Sequence, residues 1–433
     1  MTTYSLPYGK GSIPFRWPAG RKLAAIMYDS PECGLSRDRS LRLIREALNR
    51  PVGTPRLSQL ASGHDRAVIL ISDGTRLCPS DLLLPPLLEE LRAGGIAAEA
   101  VDIVIALGLH RKHTADEIRA LVGDEVFGRV RVHNHSAEPE DCLALGTTTR
   151  GTPVEINRLV AECPLRIATG GIEPHALVGV SGGVKALIPG AASRRSIEHN
   201  HRLSVQHRAS PGDPDNPVHQ DLEEALRFVP IHFLLNVVVN HERHVLQAAC
   251  GDVIAAHREG VRLAASRFTV PVHAQYDRVI VSPGGHPKDM QIYQALKALR
   301  NAAAFTRPGG AILLVARCEE HIGNGLLQYW LETMKDRQQM VAKLKERFEV
   351  GPHKMLHLAE VLARHPVHLH SALPRHWTEL LGFKAEDDVQ AVVDAWAADE
   401  SLTVAYMPHG SLTFPRFPST SKDARSQNND KET

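Results

Sequence analysis

Short, unbroken apolar runs recur along this chain, and they stop at a glycine or a polar turn. Ala67–Ser72 stops at Asp73-Gly74, Val101–Ala106 at Leu107-Gly108, and residues 165–168 at Thr169-Gly170-Gly171; Phe233–Val239 is a further run. Each is too short for a buried helix and apolar on both alternating faces, as a strand covered on both sides must be. Helical patterns lie between them at residues 82–93, 115–122 and 221–228. Strands alternating with helices predict an α/β layered domain on a parallel sheet. A second series starts beyond about residue 270: strand-like Asp277 to Val281, a helical pattern over 290–301, strand-like Ala311 to Ala316, and helices over 326–347 and 354–364. The expected division is therefore a domain over 1–268 and a second α/β domain over 269–417, with a disordered polar tail over 418–433.

The length of 433 residues agrees with two cores rather than one. A formal net charge of +1 argues against a nucleic-acid-binding or membrane-surface role. The six cysteines (Cys33, Cys78, Cys142, Cys163, Cys250 and Cys318) include no C-x-x-C pair and read as reduced thiols. No apolar run is long enough for a transmembrane helix, and the opening residues do not read as a secretory signal, so a cytoplasmic protein is expected.

In open α/β sheets, ligands collect beyond the C-terminal ends of strands. Ser72-Asp73-Gly74-Thr75-Arg76 stands at one such end and combines a carboxylate, a flexible turn, a hydroxyl and a guanidinium. It reads either as a capped turn or as an anion site with Arg76 as the pairing group. Gly108-Leu109-His110-Arg111 stands at the next. Thr114 and Glu117 after it form a capping box, a structural task that His110 does not share. His133 and His135 alternate as on a strand and point to opposite faces, which makes them poor joint metal ligands. Residues 146–157 read as a hairpin or turn before a helix.

Residues 170–201 are the densest in chemistry: GGIEPHALVGVSGGVKALIPGAASRRSIEHNH. A glycine-rich loop lets backbone approach a ligand and presents Lys185 for phosphate binding or covalent attachment. His175, His199 and His201 are candidate bases or metal ligands, with only one of the last two expected to face Lys185. In the second domain, Gln294 and Lys297 share a helix face, which reads as a solvated face or a binding face.

Together these segments resemble the nickel-dependent lactate racemase family. The resemblance runs through SDGTR, ALGLHR, HNH, LGTTTRGTPV, GGIEPH, GVSGGVK and NH, and resumes at SPGGHP and IYQALK, over roughly residues 5–320. It implies two α/β domains with a cofactor and substrate cleft between them. It also implies a covalent nickel-pincer nucleotide, the nickel complex of pyridinium-3,5-bisthiocarboxylic acid mononucleotide, attached at Lys185. His201 then matches the nickel ligand, and His110 and His175 the two acid/base histidines. Asp73, Gly74, Thr75 and Arg76 match cofactor and anion contacts. Arg76, Gln294 and Lys297 match substrate contacts. The implied reaction is racemisation or epimerisation of a 2-hydroxy acid through a 2-keto acid, and the implied transient partners are cofactor-synthesis proteins.

The resemblance breaks at Gly351-Pro352-His353-Lys354-Met355, where the family's tryptophan is missing, and a polar His353-Lys354 pair suits a larger or more polar substrate than lactate. Three other classes fit the residues less well. A zinc-type hydrolase or lyase needs three converging ligands, and only one histidine is left once the two bases are assigned. A non-catalytic cofactor carrier has no use for an acid/base pair. A nicotinamide dehydrogenase is disfavoured because no G-x-G-x-x-G follows the early strands.

Overall fold

The computed structural model describes residues 1–30, 35–207, 209–265 and 267–417. Cys33 and the expected tail over 418–433 lie outside them. The chain forms two compact units, one from residues 29–267 with 345–350, the other from residues 1–28, 268–344 and 351 onward. The change of unit at 267/268 falls beside the expected division at 268/269, while the first 28 residues group with the C-terminal unit.

The larger unit is built on a six-stranded sheet in the spatial order Val245–Gly251, Phe233–Val239, Leu165–Gly171, Ala67–Ser72, Val101–Ala106, Arg131–Asn134. All neighbours are parallel except Val245–Gly251, which runs antiparallel on Phe233–Val239. In the central strand, Val68, Ile69, Leu70 and Ile71 are all fully buried, so both faces are covered, as an apolar run without alternation requires. On one face Val68, Leu70, Val104 and Ala168 pack with Val184, Leu187, Ile197, Val218 and Leu222. That core fixes the Lys185 loop and the helices Arg194–Gln206 and Pro217–Glu224 against the sheet.

Helix Pro217–Glu224 starts four residues before the 221–228 pattern, because the Asn216 side chain caps it and Pro217 takes the first turn, where its missing N–H costs nothing. The hairpin read over 146–157 is Cys142–Thr147 paired with Pro153–Asn157. Five cysteines (Cys78, Cys142, Cys163, Cys250 and Cys318) are free and buried.

The smaller unit carries a second six-stranded sheet, parallel throughout: Lys384–Ala385, Val367–His370, Thr306–Val315, Tyr276–Val281, Val404–Met407, Leu23–Ala25. The hairpin of Thr2–Tyr8 and Gly11–Trp17 adds Leu6, Phe15 and Trp17 to the core under Ile280 and Leu313. The helix expected over 326–347 is two, Gly325–Met334 and Arg337–Glu346. Lys335 turns left-handed between them (φ 52°), and Asp336 Oδ1 accepts from Gln338 N at 2.8 Å, which starts the second helix. Among the described residues no helix is long and apolar enough to cross a membrane.

Candidate active site

Asp73 leaves the end of the central strand and is 3% exposed. Its Oδ1 accepts from Thr75 N at 2.8 Å and from the Thr75 hydroxyl. Its Oδ2 faces His110 Nδ1 at 3.2 Å and Arg76 Nε at 3.7 Å. Burial opposes charge here, but the charge and hydrogen bond of His110, with Arg76 and Thr75, outweigh it and hold the carboxyl well below the usual carboxylate range. An ionised Asp73 can only accept, so Nδ1 of His110 donates. In the neutral ring this leaves the Nε2 lone pair as the basic nitrogen. Asp73 thereby orients the His110 ring and fixes its tautomer.

His113 supports the same loop. Its Nε2 accepts from Gly74 N at 2.9 Å, and its own N–H donates to Asn134 Oδ1 at 2.9 Å. Nothing in the sequence marks His113 for this task, because the bond joins loops that follow different strands.

Lys185 sits in the single helical turn Gly183–Ala186. Asn236, in the neighbouring strand, pins this turn: its Oδ1 accepts from Gly183 N at 2.8 Å and its Nδ2 donates to Gly170 O at 3.1 Å. Gly182 and Gly183 are required, with φ of +81° and +57°, and a Cβ on Gly182 would lie 2.6 Å from Asn236 Oδ1. Burial, joined by the Arg76 charge and opposed by Glu173, pushes the Lys185 ammonium down to about 7. A large share of this amine is therefore neutral and nucleophilic near neutral pH.

His175 lies on the short strand Pro174–His175, and its Nδ1 accepts from Leu177 N at 3.2 Å. His199 and His201 part company on helix Arg194–Gln206. His199 Nδ1 bonds the Thr152 hydroxyl at 3.0 Å, and Asn200 donates to Asp221 Oδ2 at 2.8 Å, so these two side chains serve packing. His201, two positions on from His199, lies on another side of the helix. His133 and His135 also take separate partners, Asp102 at 2.8 Å and the Ala192 carbonyl at 3.0 Å. The larger unit thus holds Asp73, Gly74, Thr75, Arg76, His110, His175, Lys185 and His201, while Gln294 and Lys297 stand in the smaller one on helix Ile292–Ala304.

Residues 8–212 match the model of the lactate racemase N-terminal domain, and residues 272–369 that of the lactate racemase C-terminal domain. A lactate racemase from Thermoanaerobacterium thermosaccharolyticum is 34% identical over 352 residues, which is 80% of this chain and 82% of the relative. The chain belongs to the lactate racemase family. A lactate racemase from Lactiplantibacillus plantarum is 33% identical over 65% of this chain and 67% of its own length. The solved lactate racemase apoprotein from T. thermosaccharolyticum superposes with a TM-score of 0.84 at 29% identity, covering 96% of this chain and all of that one. A Thermotoga maritima protein shares the fold, with a TM-score of 0.68 at 18% identity over 90% of this chain and all of that one.

Within this family member, Gln294 is buried and Lys297 half-buried on the same helix. His353 is 3% exposed: its Nδ1 accepts from Gly351 N at 3.2 Å, and its ring meets Tyr293 edge-on at 6.4 Å. Lys354 Nζ lies 5.0 Å from the centre of the Tyr293 ring. The His353-Lys354 pair is therefore packed onto the helix that carries Gln294 and Lys297.

Proposed function

We propose that this protein racemises, or epimerises at C2, a small 2-hydroxy acid as a nickel-dependent isomerase. Family membership supports the reaction class. The observation that carries the site assignment is that the larger unit holds both a histidine oriented by Asp73 and a partly buried lysine whose amine is pushed down to about 7, so that a large share of it is neutral near neutral pH.

The residues present suit a covalent nickel-pincer nucleotide. Lys185 would hold it through a thioamide, for which a neutral amine is the competent form and water the group lost from a thiocarboxylic acid arm. His201 offers an imidazole of the kind nickel accepts. When bound, the group supplies a reversible hydride acceptor for the substrate C2–H. His110 Nε2 takes the hydroxyl proton as the C2–O bond becomes a carbonyl, giving a planar 2-keto acid. Return of the hydride to the opposite face requires a proton at the hydroxyl oxygen from the second histidine, His175. Arg76, Gln294 and Lys297 bind the carboxylate and hydroxyl. A pure carrier of the cofactor has no use for the Asp73–His110 pair.

Protein made in a host that synthesises the cofactor should carry its mass on the Lys185 peptide and about one nickel per chain, and should interconvert the enantiomers of at least one 2-hydroxy acid. An unmodified Lys185 from such a host overturns the proposal. His110→Ala and His175→Ala should each abolish turnover while nickel stays bound. Full activity of His175→Ala would remove the second base. Substrates from lactate to dicarboxylic and sugar acids belong in the panel, because the polar His353-Lys354 pair stands in the segment where the family's tryptophan is missing.

A further inference from the structure

A second cluster stands behind the Lys185 loop and takes no part in the chemistry above. Helix Pro217–Glu224 places His219 and Glu223 one turn apart on one face, with His219 Nε2 3.4 Å from Glu223 Oε1. Helix Val253–Ala264, capped by Asp252, brings in His257, whose ring stacks on His219 at 5.1 Å with an interplanar angle of 8°. One ligand atom from each of His219, Glu223 and His257 lies within 4.8 Å of the others.

His219 is fully buried, its Nδ1 has no hydrogen-bond partner, and its Nε2 meets only Glu223 Oε1, at a long 3.4 Å. Burying such a group without a bond costs about 1–3 kcal/mol. His257 is 1% exposed, and its Nε2 lies 2.9 Å from the Ser181 carbonyl oxygen. A carbonyl only accepts, so Nε2 carries the proton and Nδ1 keeps its lone pair, the arrangement in which ligating histidines are usually held. Arg258 Nη2 lies 3.0 Å from Glu223 Oε1 and 3.1 Å from Asp215 Oδ1, which fixes the carboxylate from outside the triad as an outer-shell partner.

We infer that His219, Glu223 and His257 form a binding site for a divalent cation of the zinc type, separate from His201, that clamps two helices onto the back of the lysine loop. Two imidazoles and one carboxylate are a zinc donor set, with water as the fourth ligand. Bond lengths of about 2.0–2.2 Å require the three ligand atoms to draw closer together, by rotation of the side chains on their capped helices. The loop would follow, because the Gly183 backbone touches the His257 ring: a Cβ there would lie 2.8 Å from it.

The test uses the full chain made in a host without cofactor synthesis, stripped with chelator, so that failure of the racemase proposal leaves the readout intact. Zn²⁺ is titrated, and bound zinc is counted after gel filtration. About one zinc per chain is expected for the parent and for His201→Ala, and none for His219→Ala or His257→Ala. Glu223→Gln should weaken binding about 10–100-fold. Since the alanine variants risk misfolding, the thermal midpoint of the unmutated stripped protein is read with and without Zn²⁺, and a rise of several degrees is expected. The inference is overturned by zinc retained in both histidine variants, by zinc lost in His201→Ala, or by an unmutated chain that binds no zinc and shows no rise.

Discussion

Replacing Asp73 by Asn removes one charge from the site and loosens the hold on the His110 ring. The Asn amide can face Nδ1 as a donor, which favours the tautomer with its proton on Nε2 and blocks the base. Asp73→Asn should keep the fold and lower kcat/KM by roughly 10²–10⁴-fold, the size seen when a base loses its orienting carboxylate. Because two enantiomers have equal free energies, the fall must be the same in both directions, which is a check on the assay. Asp73 is also a stability group. Its folded carboxyl titrates well below the unfolded value of about 3.9, so its contribution is present above about pH 4 and is lost as pH falls further. The variant should therefore lose stability less steeply in acid. Lys185 gives the same direction of pH dependence in a higher window. Its amine is pushed down to about 7, so the unfolded chain holds the extra proton between there and about 10.4. Stability should rise with pH across that window in the unmodified protein and not in Lys185→Met. Acylation of Lys185 should show a midpoint near 7 while surface lysines do not. The glycine-bearing loops that carry His110 and Lys185 were legible in the sequence, and their roles rest on the tests above. That Asp73 serves His110 was not legible, because the two belong to adjacent strands and only the sheet order joins them.

At the scale of the element, the lysine turn depends on one residue from the next strand. Asn236 is 1% exposed and bridges Gly183 N to Gly170 O, so Asn236→Ala orphans a donor and an acceptor together. At about 1–3 kcal/mol each, the loss should be about 2–6 kcal/mol, read as a lowered denaturant midpoint. If the turn is what holds Lys185 in its enclosed place, the acylation midpoint of the variant should move up toward the ordinary lysine range. A stable variant with an unchanged midpoint would break the link between turn and amine. The apolar strand runs gave this sheet away in advance, since Val101–Ala106 and Phe233–Val239 begin and end where the runs do. Asn236 escaped notice because a lone polar residue inside an apolar strand has no periodic signature. The break at Lys335 escaped for a related reason. It depends on a left-handed residue followed by a capping Asp, with neither glycine nor proline to mark it.

Across the whole molecule, the chain order hides which residues share a core. Leu6, Phe15 and Trp17 are at most 1% exposed and pack with Ile280, Leu313, Val393 and Trp396, more than 260 positions away. Leu23–Ala25 pairs with Val404–Met407 at the edge of the same sheet. Periodicity finds elements but carries no information about such distant pairing, so nothing in the sequence marks the first 28 residues as part of the C-terminal unit. Two fragments separate the alternatives. Residues 29–267 contain the larger unit without the hairpin, and residues 1–268 add the hairpin without the core that covers it. Both lack residues 345–350, so that omission affects them equally. In the longer fragment three large apolar side chains lose about 1.5–3 kcal/mol each of burial and face water instead. The longer fragment should therefore bind more hydrophobic dye, lose its first 28 residues quickly to protease, and gain no thermal midpoint over the shorter one. A 1–268 fragment with a protected N-terminus and a higher midpoint would return those residues to the larger unit.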